Sequence, residues 1–416
     1  MSSALLTDRY ELTMLESALH AGLAGRRAVF EVFARRLPEG RRYGVVAGQG
    51  RLHALLEDFT FGPEELDAVR DVVGAQTRDW LAERRLGADI TAYAEGETFF
   101  PGSPVLTVES CFGEGLLLET LVLSVLNHDS AVASAAARMV VAAQGRSLIE
   151  MGSRRTSEQA AVAAARAAVI AGFAKTSNLE AGRRYGIETA GTSAHAFTLA
   201  ADDEKAAFRA QIATQGLGTT LLVDTYDTEQ GIRNAIEVAG PELGAIRLDS
   251  GDLAEETRRA RALLDELGAK NTRVVVTGDL DEFSIAALAA TPADGYGVGT
   301  SVVTGSGAPT VGFVYKLVAI AESDAPDARM RAVAKTSLGK ATTGGRKWAG
   351  RLPDRELLRL TPQGFPPEAR MLQGPLGPGD VEAARRRSAA SLAELPARAR
   401  RLAKGQPELR TVLEED

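Results

Sequence analysis

Short apolar runs alternate with helix-length segments from about Ser147 onward, and this rhythm constrains the fold more than any other feature. Apolar strands that alternate with amphipathic helices are typical of right-handed β/α units around a parallel sheet. About seven runs favour a closed or nearly closed β/α barrel, with a doubly wound open sheet as the alternative. The runs are residues 148–151, 172–174, 187–190, 219–223, 245–248, 273–276 and 296–298, with 311–320 as a further candidate strand.

The segment after Asp252 shows the helical half of one such unit. Asp252 and Glu255 have the spacing of a capping box, and Gly268 is placed to end the helix. Apolar side chains recur on one face of a 3.6-residue repeat, at Leu253, Ala260, Leu264 and Leu267.

Three regions differ in composition and pattern. Residues 1–115 are predicted to form an α/β N-terminal domain that begins with a helix near residues 7–21. Residues 116–320 are predicted to form the barrel, led by the apolar, alanine-rich stretch 116–144. Residues 321–416, with a Gly/Lys/Arg segment, a Pro/Gly-rich stretch and a charged tail, are predicted to pack on the first two regions as a peripheral element.

Composition excludes several classes of function. The 416 residues are 45% hydrophobic and 25% charged, which is typical of a globular protein with a sizeable core. The formal charge of −7 offers no electrostatic footprint for nucleic acid. The sole cysteine, Cys111, excludes an intrachain disulfide and a cysteine-rich zinc site. With no evident signal peptide or membrane span, a cytoplasmic location without a membrane partner is expected.

Polar, small or charged residues follow every predicted strand. In a β/α barrel the active site is built from the loops at the carboxyl ends of the strands, so these segments should converge on one mouth. The charges crowded into "RLDSGD" at 247–252 are therefore assigned to a site and not to a solvated surface. The segments are residues 152–155, 175–178, 191–195, 224–227, 249–252, 277–279 and 299–301.

The residue types in these segments predict a phosphorylated sugar as ligand. Glycines let backbone N–H groups approach an anion and hydroxyls add donors, while arginines suit phosphate or carboxylate. Aspartates accept hydrogen bonds from ribose hydroxyls or from magnesium-bound water. The three groups are Gly278 and Gly299 with Thr300 and Ser301; Arg154 and Arg155 with Arg247; and Asp249 with Asp252 and Asp279.

His195 is the sharpest candidate for a nucleophile or general base. It lies at a predicted strand end, and Asp224 at the end of the next strand is expected to accept from one ring nitrogen and fix the tautomer. The alternative is a structural, hydrogen-bonded histidine, the interpretation given to His20, His53 and His128.

With these residues assembled, the chain resembles the nicotinate phosphoribosyltransferase family. The tyrosine-bearing start and the GT-x-x-H segment favour this branch over the related nicotinamide and quinolinate enzymes. The resemblance is carried by "LLTDRYELTM" (5–14), "EMGSRRT" (150–156), "GTSAHAF" (191–197), "VDTYDT" (223–228), "IRLDSGDL" (246–253), "VVTGDLDE" (275–282), "GVGTSVVT" (297–304) and "VYKLV" (314–318).

The resemblance implies an activity and its partners. A member of this family transfers phosphoribose from phosphoribosyl pyrophosphate to nicotinate, giving nicotinate mononucleotide and pyrophosphate in NAD salvage. ATP hydrolysis is coupled to the transfer through a phosphohistidine, and His195 matches that position. Mg²⁺ would accompany phosphoribosyl pyrophosphate and ATP, and no zinc or protein-held metal is expected. The family fold is an α/β N-terminal domain beside an irregular seven-stranded β/α barrel, working as a head-to-tail homodimer.

The resemblance also implies residue roles. Tyr10 would stack on the pyridine ring in the partner's site, and Met151, where many relatives have phenylalanine, would form the other side of the ring sandwich. Arg154 and Arg247 would contact phosphates or the nicotinate carboxylate. ATP contacts are assigned to Lys340, Arg346 or Lys347. The expected catalytic residues are His195, Asp224 and Asp252; the expected substrate-binding residues are Tyr10, Met151, Arg154, Arg155, Thr192, Arg247, Asp249, Ser250, Gly278, Asp279, Gly299 and Thr300.

Three other functions stay open. The same fold could prefer nicotinamide to nicotinate, because the residues do not identify which arginine faces the ring. A different phosphosugar barrel enzyme could form a Schiff base on Lys175, although a phosphate contact or a surface lysine is the preferred interpretation of that residue. A non-catalytic homologue would be expected to lose His195 or the arginines, and this chain has all of them.

Overall fold

The computed structural model describes residues 2–337 and 342–414 as two compact units. The first unit combines Met1–Ala133 with Thr310–Asp416, and the second is Ser134–Pro309. Lys340, one of the expected ATP contacts, lies outside the described residues. Within the described ranges, every helix is too short or too polar to cross a membrane.

Helices and strands alternate between residues 204 and 321, and runs of one type occur elsewhere in the chain. The helices are α1 (Arg9–His20), α2 (Gln49–Glu57), α3 (Pro63–Ala68), α4 (Ala75–Glu83), α5 (Phe112–Leu116), α6 (Glu119–Ala143), α7 (Glu158–Ile170), α8 (Leu179–Tyr185), α9 (His195–Ala200), α10 (Glu204–Gln215), α11 (Thr228–Ala239), α12 (Leu253–Glu266), α13 (Glu282–Leu288), α14 (Thr300–Val303) and α15 (Val381–Glu394), with a 3₁₀ turn at Ala397–Arg400. The strands are β1 (Arg27–Ala34), β2 (Gly44–Val45), β3 (Asp89–Tyr93), β4 (Thr98–Phe99), β5 (Leu106–Cys111), β6 (Ser147–Glu150), β7 (Lys175–Thr176), β8 (Thr220–Leu222), β9 (Ala245–Leu248), β10 (Arg273–Val276), β11 (Gly295–Val298), β12 (Phe313–Ala321), β13 (Met330–Ala332), β14 (Trp348–Arg351), β15 (Arg355–Arg359), β16 (Arg370–Met371), β17 (Gln373–Pro375) and β18 (Arg410–Leu413).

The first unit is built on an antiparallel six-stranded sheet in the order β13-β12-β1-β5-β3-β17. Strand β12, which was a candidate for an extra barrel strand, pairs antiparallel with β1 instead. The reason is aromatic packing, since Tyr315 stacks on Phe30 and Phe313 packs on Phe99, each with ring centroids 4.9 Å apart. Residues 321–416, expected to pack on the other two regions as a peripheral element, contribute β13 to β18 to this unit.

The second unit contains a six-stranded parallel sheet in the order β7-β6-β11-β10-β9-β8. The predicted run 187–190 adds only an isolated parallel bridge between Thr176 and Thr189 beyond β7. The predicted run 172–174 comes just before β7, because Gly172, at φ 120°, is taken up by the turn that ends α7. The chain is thus a mixed α/β protein with a half-barrel parallel sheet.

Helices α11, α12 and α13 of the second unit are each separated from the preceding strand by four or five residues. Asp227, Asp252 and Asp281 cap α11, α12 and α13 through their side chains, as predicted for Asp252. On α12 the buried face consists of Thr257, Ala260, Leu263 and Leu264. Each loop between a strand and its helix is therefore short and fixed at both ends, which places its side chains at the carboxyl edge of the sheet.

Candidate active site

Three neighbouring strand-end loops are joined by hydrogen bonds around Asp249. Asp224 Oδ2, after β8, accepts from the Asp249 backbone N–H and from the Ser250 hydroxyl, each at 2.8 Å. The Thr277 hydroxyl, after β10, donates to Asp249 Oδ1. The predicted convergence of polar segments is therefore realised for the loops after β8, β9 and β10.

Gly278 brings the loop after β10 against the loop after β9. Its φ is 110°, and a Cβ on it would lie 2.5 Å from the Asp249 carbonyl oxygen. Asp279 follows with φ 47°, an uncommon conformation for a residue with a side chain. Positive φ values at consecutive residues are typical of turns whose backbone N–H groups bind anions.

His195 is the first residue of the short helix α9 and faces the same cluster. Its Nδ1 lies 3.2 Å from Thr225 Oγ1, and its Nε2 lies 3.9 Å from Asp249 Oδ2. The expected partner was Asp224, and that prediction was wrong because the Asp224 carboxylate faces the Asp249 backbone and Ser250 instead. The imidazole side chain is 39% exposed, so Nε2 is accessible to a ligand.

A cavity of about 470 Å³ is lined by residues of the parallel sheet and of the segments that adjoin its strands. Ile149, Met151 and Val275 give it apolar walls, and polar groups from the strand ends line the rest. Four cations and one carboxylate line it, and although Lys175 is paired with Glu188 the lining keeps an excess of positive charge, which suits an anion with a flat apolar body. The charged residues are Arg154, Lys175, Arg247 and Arg273, with Asp294 as the carboxylate.

Arg247 occupies the centre of strand β9 and points into this cavity. Its Nε is buried and has no hydrogen-bond partner in the part of the chain that the structure describes. Burial lowers the pKa of the guanidinium from its ordinary value, while the charges of Asp249 and Asp224 oppose that shift. A guanidinium remains charged in proteins, so an anion that enters the cavity would gain a hydrogen bond and a counter-charge together.

Met151 lies across strand β11 inside the cavity. A Cβ on Gly297 would come within 2.7 Å of Met151 Sδ and 2.6 Å of Thr277 Cγ2. Because Gly297 has no side chain, strand β11 leaves the space that the thioether of Met151 occupies. Thr192, another expected substrate contact, also lines the cavity.

Glu150 is a buried carboxylate that the sequence analysis did not single out. Its Oε1 accepts from the Gly152 N–H and its Oε2 from the Thr176 hydroxyl, each at 2.5 Å. Burial raises its pKa, and the two hydrogen bonds oppose that rise. The bonds fix the loop that carries Arg154 against β7. The available signal was an acidic residue at the end of an apolar strand.

Several predicted site residues lie outside this cluster. Asp252 is exposed, and its Oδ1 accepts from Ala254 N and Glu255 N at 3.1 Å, which makes it the cap of α12. Arg155 and Asp279 are exposed, and neither is part of the cavity wall. Gly299 and Thr300 begin α14 after β11.

Three predictions concern residues of the first unit. Tyr10 is 44% exposed in the first turn of α1. Lys347, an expected ATP contact, is buried and its Nζ pairs with Glu31 Oε2 at 2.8 Å. Arg346 pairs with Glu109 at 2.9 Å. The charges of Lys347 and Arg346 are therefore already compensated within this unit.

Comparisons with known proteins match most of the chain. The family model described as the nicotinate phosphoribosyltransferase (NAPRTase) N-terminal domain matches residues 5–127, and that of the quinolinate phosphoribosyl transferase C-terminal domain matches residues 132–308. The chain is 54% identical to nicotinate phosphoribosyltransferase pncB1 of Mycobacterium tuberculosis (strain CDC 1551 / Oshkosh), over 98% of this chain and 95% of that protein.

Two further relatives extend the similarity. The nicotinate phosphoribosyltransferase of Bacillus subtilis (strain 168) is 39% identical, over 83% of this chain and 72% of its own length. The crystal structure of human nicotinic acid phosphoribosyltransferase superposes with a TM-score of 0.81 at 25% identity, over 98% of this chain and 97% of that one.

Proposed function

Since the chain belongs to the nicotinate phosphoribosyltransferase family, we propose that it transfers phosphoribose from phosphoribosyl pyrophosphate to the ring nitrogen of nicotinate. The products are nicotinate mononucleotide and pyrophosphate, and the reaction belongs to NAD salvage. The observation that carries this assignment is the junction of Asp224, Asp249 and Thr277 at the strand ends, next to Arg247, which lines the cavity and feels the charges of both aspartates.

The aspartates at the junction suit the ribose and its magnesium-bound pyrophosphate. Asp224 Oδ1 is buried without a hydrogen-bond partner among the described residues, so it can accept from a sugar hydroxyl or from a water bound to Mg²⁺. Cleavage at the sugar carbon develops oxocarbenium character, and a nearby carboxylate stabilises that positive charge. The contorted turn at Gly278 and the start of α14 at Gly299 and Thr300 would donate to the 5′-phosphate.

The cavity suits the base. Nicotinate is a flat ring with one carboxylate, and Met151 offers it a polarizable apolar contact. Arg247 or Arg154 would pair with the carboxylate, which nicotinamide lacks. This electrostatic difference favours nicotinate over nicotinamide.

His195 would couple ATP hydrolysis to the transfer. The Thr225 hydroxyl at Nδ1 leaves Nε2 available to attack the terminal phosphorus of ATP, with ADP as the leaving group. A phosphoryl group on Nε2 would add negative charge near Asp249 and change the relative affinities for substrates and products. Mg²⁺ would enter with ATP and phosphoribosyl pyrophosphate.

The assembly proposed for the chain is a head-to-tail homodimer in the cytoplasm. Tyr10 is exposed on α1 and can contact a second copy of the chain, as the family resemblance implies. The finer description of the parallel sheet as an irregular seven-stranded barrel would count the bridge at Thr189 as its seventh strand.

A turnover assay tests the proposal. Wild-type protein is supplied with phosphoribosyl pyrophosphate and Mg²⁺, with nicotinate or nicotinamide, and with or without ATP. We expect turnover of nicotinate, faster with ATP, and loss of the ATP stimulation in His195→Ala. Undiminished stimulation in that variant would refute the phosphohistidine, and equal turnover of nicotinamide would refute the specificity.

The alternative function that assigns a specific residue is Schiff-base chemistry on Lys175. The Lys175 ammonium is paired with the Glu188 carboxylate, which stabilises the charged, non-nucleophilic form. Trapping of a carbonyl substrate on Lys175 by borohydride would support the rival.

A further inference from the structure

Glu282 connects three parts of the second unit through one buried carboxylate. It is the first residue of α13 and is 2% exposed. Its Oε1 accepts from Arg138 Nε at 2.9 Å, and its Oε2 accepts from the Ser306 hydroxyl at 2.5 Å. Arg138 lies on α6 with its side chain 5% exposed, and Ser306 follows α14. The carboxylate therefore holds the start of α13, the segment after α14 and helix α6 together.

The two segments that meet at Glu282 are continuous with the two loops expected to bind phosphate. The turn at Gly278 and Asp279 leads into α13, and the loop at Gly299 leads into α14 and on to Ser306. Ser306 has φ 51°, and its N–H donates to the Ser301 carbonyl at 2.6 Å. A residue with a side chain keeps such a φ only when its surroundings hold it. Glu282 is one of the groups that hold it.

A buried ion pair between Arg138 and Glu282 would not by itself require the additional hydrogen bond from Ser306. Arg138 and Glu282 alone would satisfy the charge balance that a buried carboxylate requires. The bond from Ser306 joins the segment after α14 to the first residue of α13, so the carboxylate connects the continuations of the two loops. Met151 and Arg247, which face the base, lie just after β6 and on β9, away from the two segments that Glu282 connects.

We propose that Glu282, acting with Ser306, is a positioning residue that sets the spacing between the two phosphate-binding loops. It controls affinity for the 5′-phosphate of phosphoribosyl pyrophosphate and has little influence on nicotinate. This inference rests on the proposed function, because that function assigns the phosphate to these loops.

Ser306→Ala is the decisive variant, because it removes the bond between the loops and keeps the buried ion pair. We expect it to raise the KM for phosphoribosyl pyrophosphate roughly five- to tenfold and to change the KM for nicotinate less than about twofold. Glu282→Gln should raise the KM for phosphoribosyl pyrophosphate more strongly and again leave the KM for nicotinate within about twofold, because the neutral amide no longer balances the buried Arg138 charge and has one acceptor fewer for the two donors. Calorimetric binding of ribose 5-phosphate should weaken in parallel, without any turnover being needed.

Thr291→Val is the matched control. The Thr291 hydroxyl is buried and donates to Leu288 O at 2.7 Å, in the connection that leads from α13 to the amino end of β11. This variant removes one hydroxyl bond at the opposite end of α13, so it should lower the melting temperature and leave both KM values at the wild-type level.

The outcomes separate the inference from the proposed function. Wild-type KM values in Ser306→Ala, or a rise of both KM values together, would overturn the positioning role and leave the function standing. A wild-type protein that binds ribose 5-phosphate but does not convert nicotinate would overturn the function. In that case, weaker binding of ribose 5-phosphate by Ser306→Ala but not by Thr291→Val would still support the positioning role.

Discussion

Replacing Gly278 by alanine would force a methyl group into the main chain of the neighbouring loop. The new Cβ would lie 2.5 Å from the Asp249 carbonyl oxygen, whereas ordinary contacts of a Cβ begin at 3.4 Å. The two loops must therefore separate by about 0.9 Å (3.4 − 2.5). The backbone offers no relief, because a φ of 110° is itself unfavourable for alanine.

The cost can be divided between stability and catalysis. Backbone strain of this kind costs about 1–3 kcal/mol, and each kcal/mol lowers the melting temperature of a domain of this size by about 2–4 °C. A displacement near 1 Å at reacting groups can cost about a hundredfold in rate. We therefore expect a melting temperature lower by roughly 2–12 °C and a kcat/KM for phosphoribosyl pyrophosphate lower by about 30- to 100-fold.

Gly268→Ala is the control that isolates backbone strain. Gly268 follows α12 with φ 77°, and a Cβ there would meet no heavy atom within 4 Å. This variant should lose stability and keep the wild-type kcat/KM. Thermal melts and steady-state kinetics on both variants separate the effect of backbone strain from that of the contact with Asp249. If Gly278→Ala also kept the wild-type kcat/KM, the contact between Gly278 and Asp249 would not be what positions the phosphate.

Three other perturbations give separate tests. Arg247→Met should raise the KM for nicotinate at least about tenfold by removing a charge-assisted bond, and nicotinamide turnover, if measurable, should change less. Met151→Ala should raise the same KM several-fold by removing the apolar contact, whereas Met151→Phe should keep it within about threefold of wild type. Burial raises the pKa of Glu11 from 4.5 to about 7, so the folded state binds more protons than the unfolded state between these values. The contribution of Glu11 to stability should therefore fall by about 2–3 kcal/mol as the pH rises from 4.5 to 7, and denaturation at both pH values should show this part of the pH dependence missing in Glu11→Gln.

The strand–loop–helix units of the second unit could be predicted because their signals are local. Alternating apolar runs placed β8 to β11 within a residue or two, and acidic residues after the strands located the helix caps. Strand β12 was assigned to the wrong sheet because an apolar run does not encode its partner. Its side chains Phe313 and Tyr315 pack against aromatic neighbours more than 200 residues earlier in the chain.

Side-chain orientation within the site could not be predicted from spacing. Asp224 and Asp252 have the same residue type and follow adjacent strands, yet one joins two loops and the other caps a helix. The difference depends on where the backbone N–H groups of Asp249 and Glu255 point. Glu150 and Glu282 were missed for a related reason, since a charged residue is ordinarily expected at the surface. Only the folded chain brings the donors that stabilise them in the interior.

Strand β11 shows how function departs from the requirements of a stable sheet. Gly295 and Gly297 occupy consecutive positions on its cavity side, although glycine within a strand costs roughly 0.5–1 kcal/mol relative to alanine. A Cβ at Gly297 would collide with Met151 and Thr277, the residues that line the cavity and hold Asp249. The missing side chains thus create the space in which Met151 lies, while Thr277 keeps Asp249 in place beside it. A sheet selected for stability alone would fill these positions with branched residues, and the cavity would close.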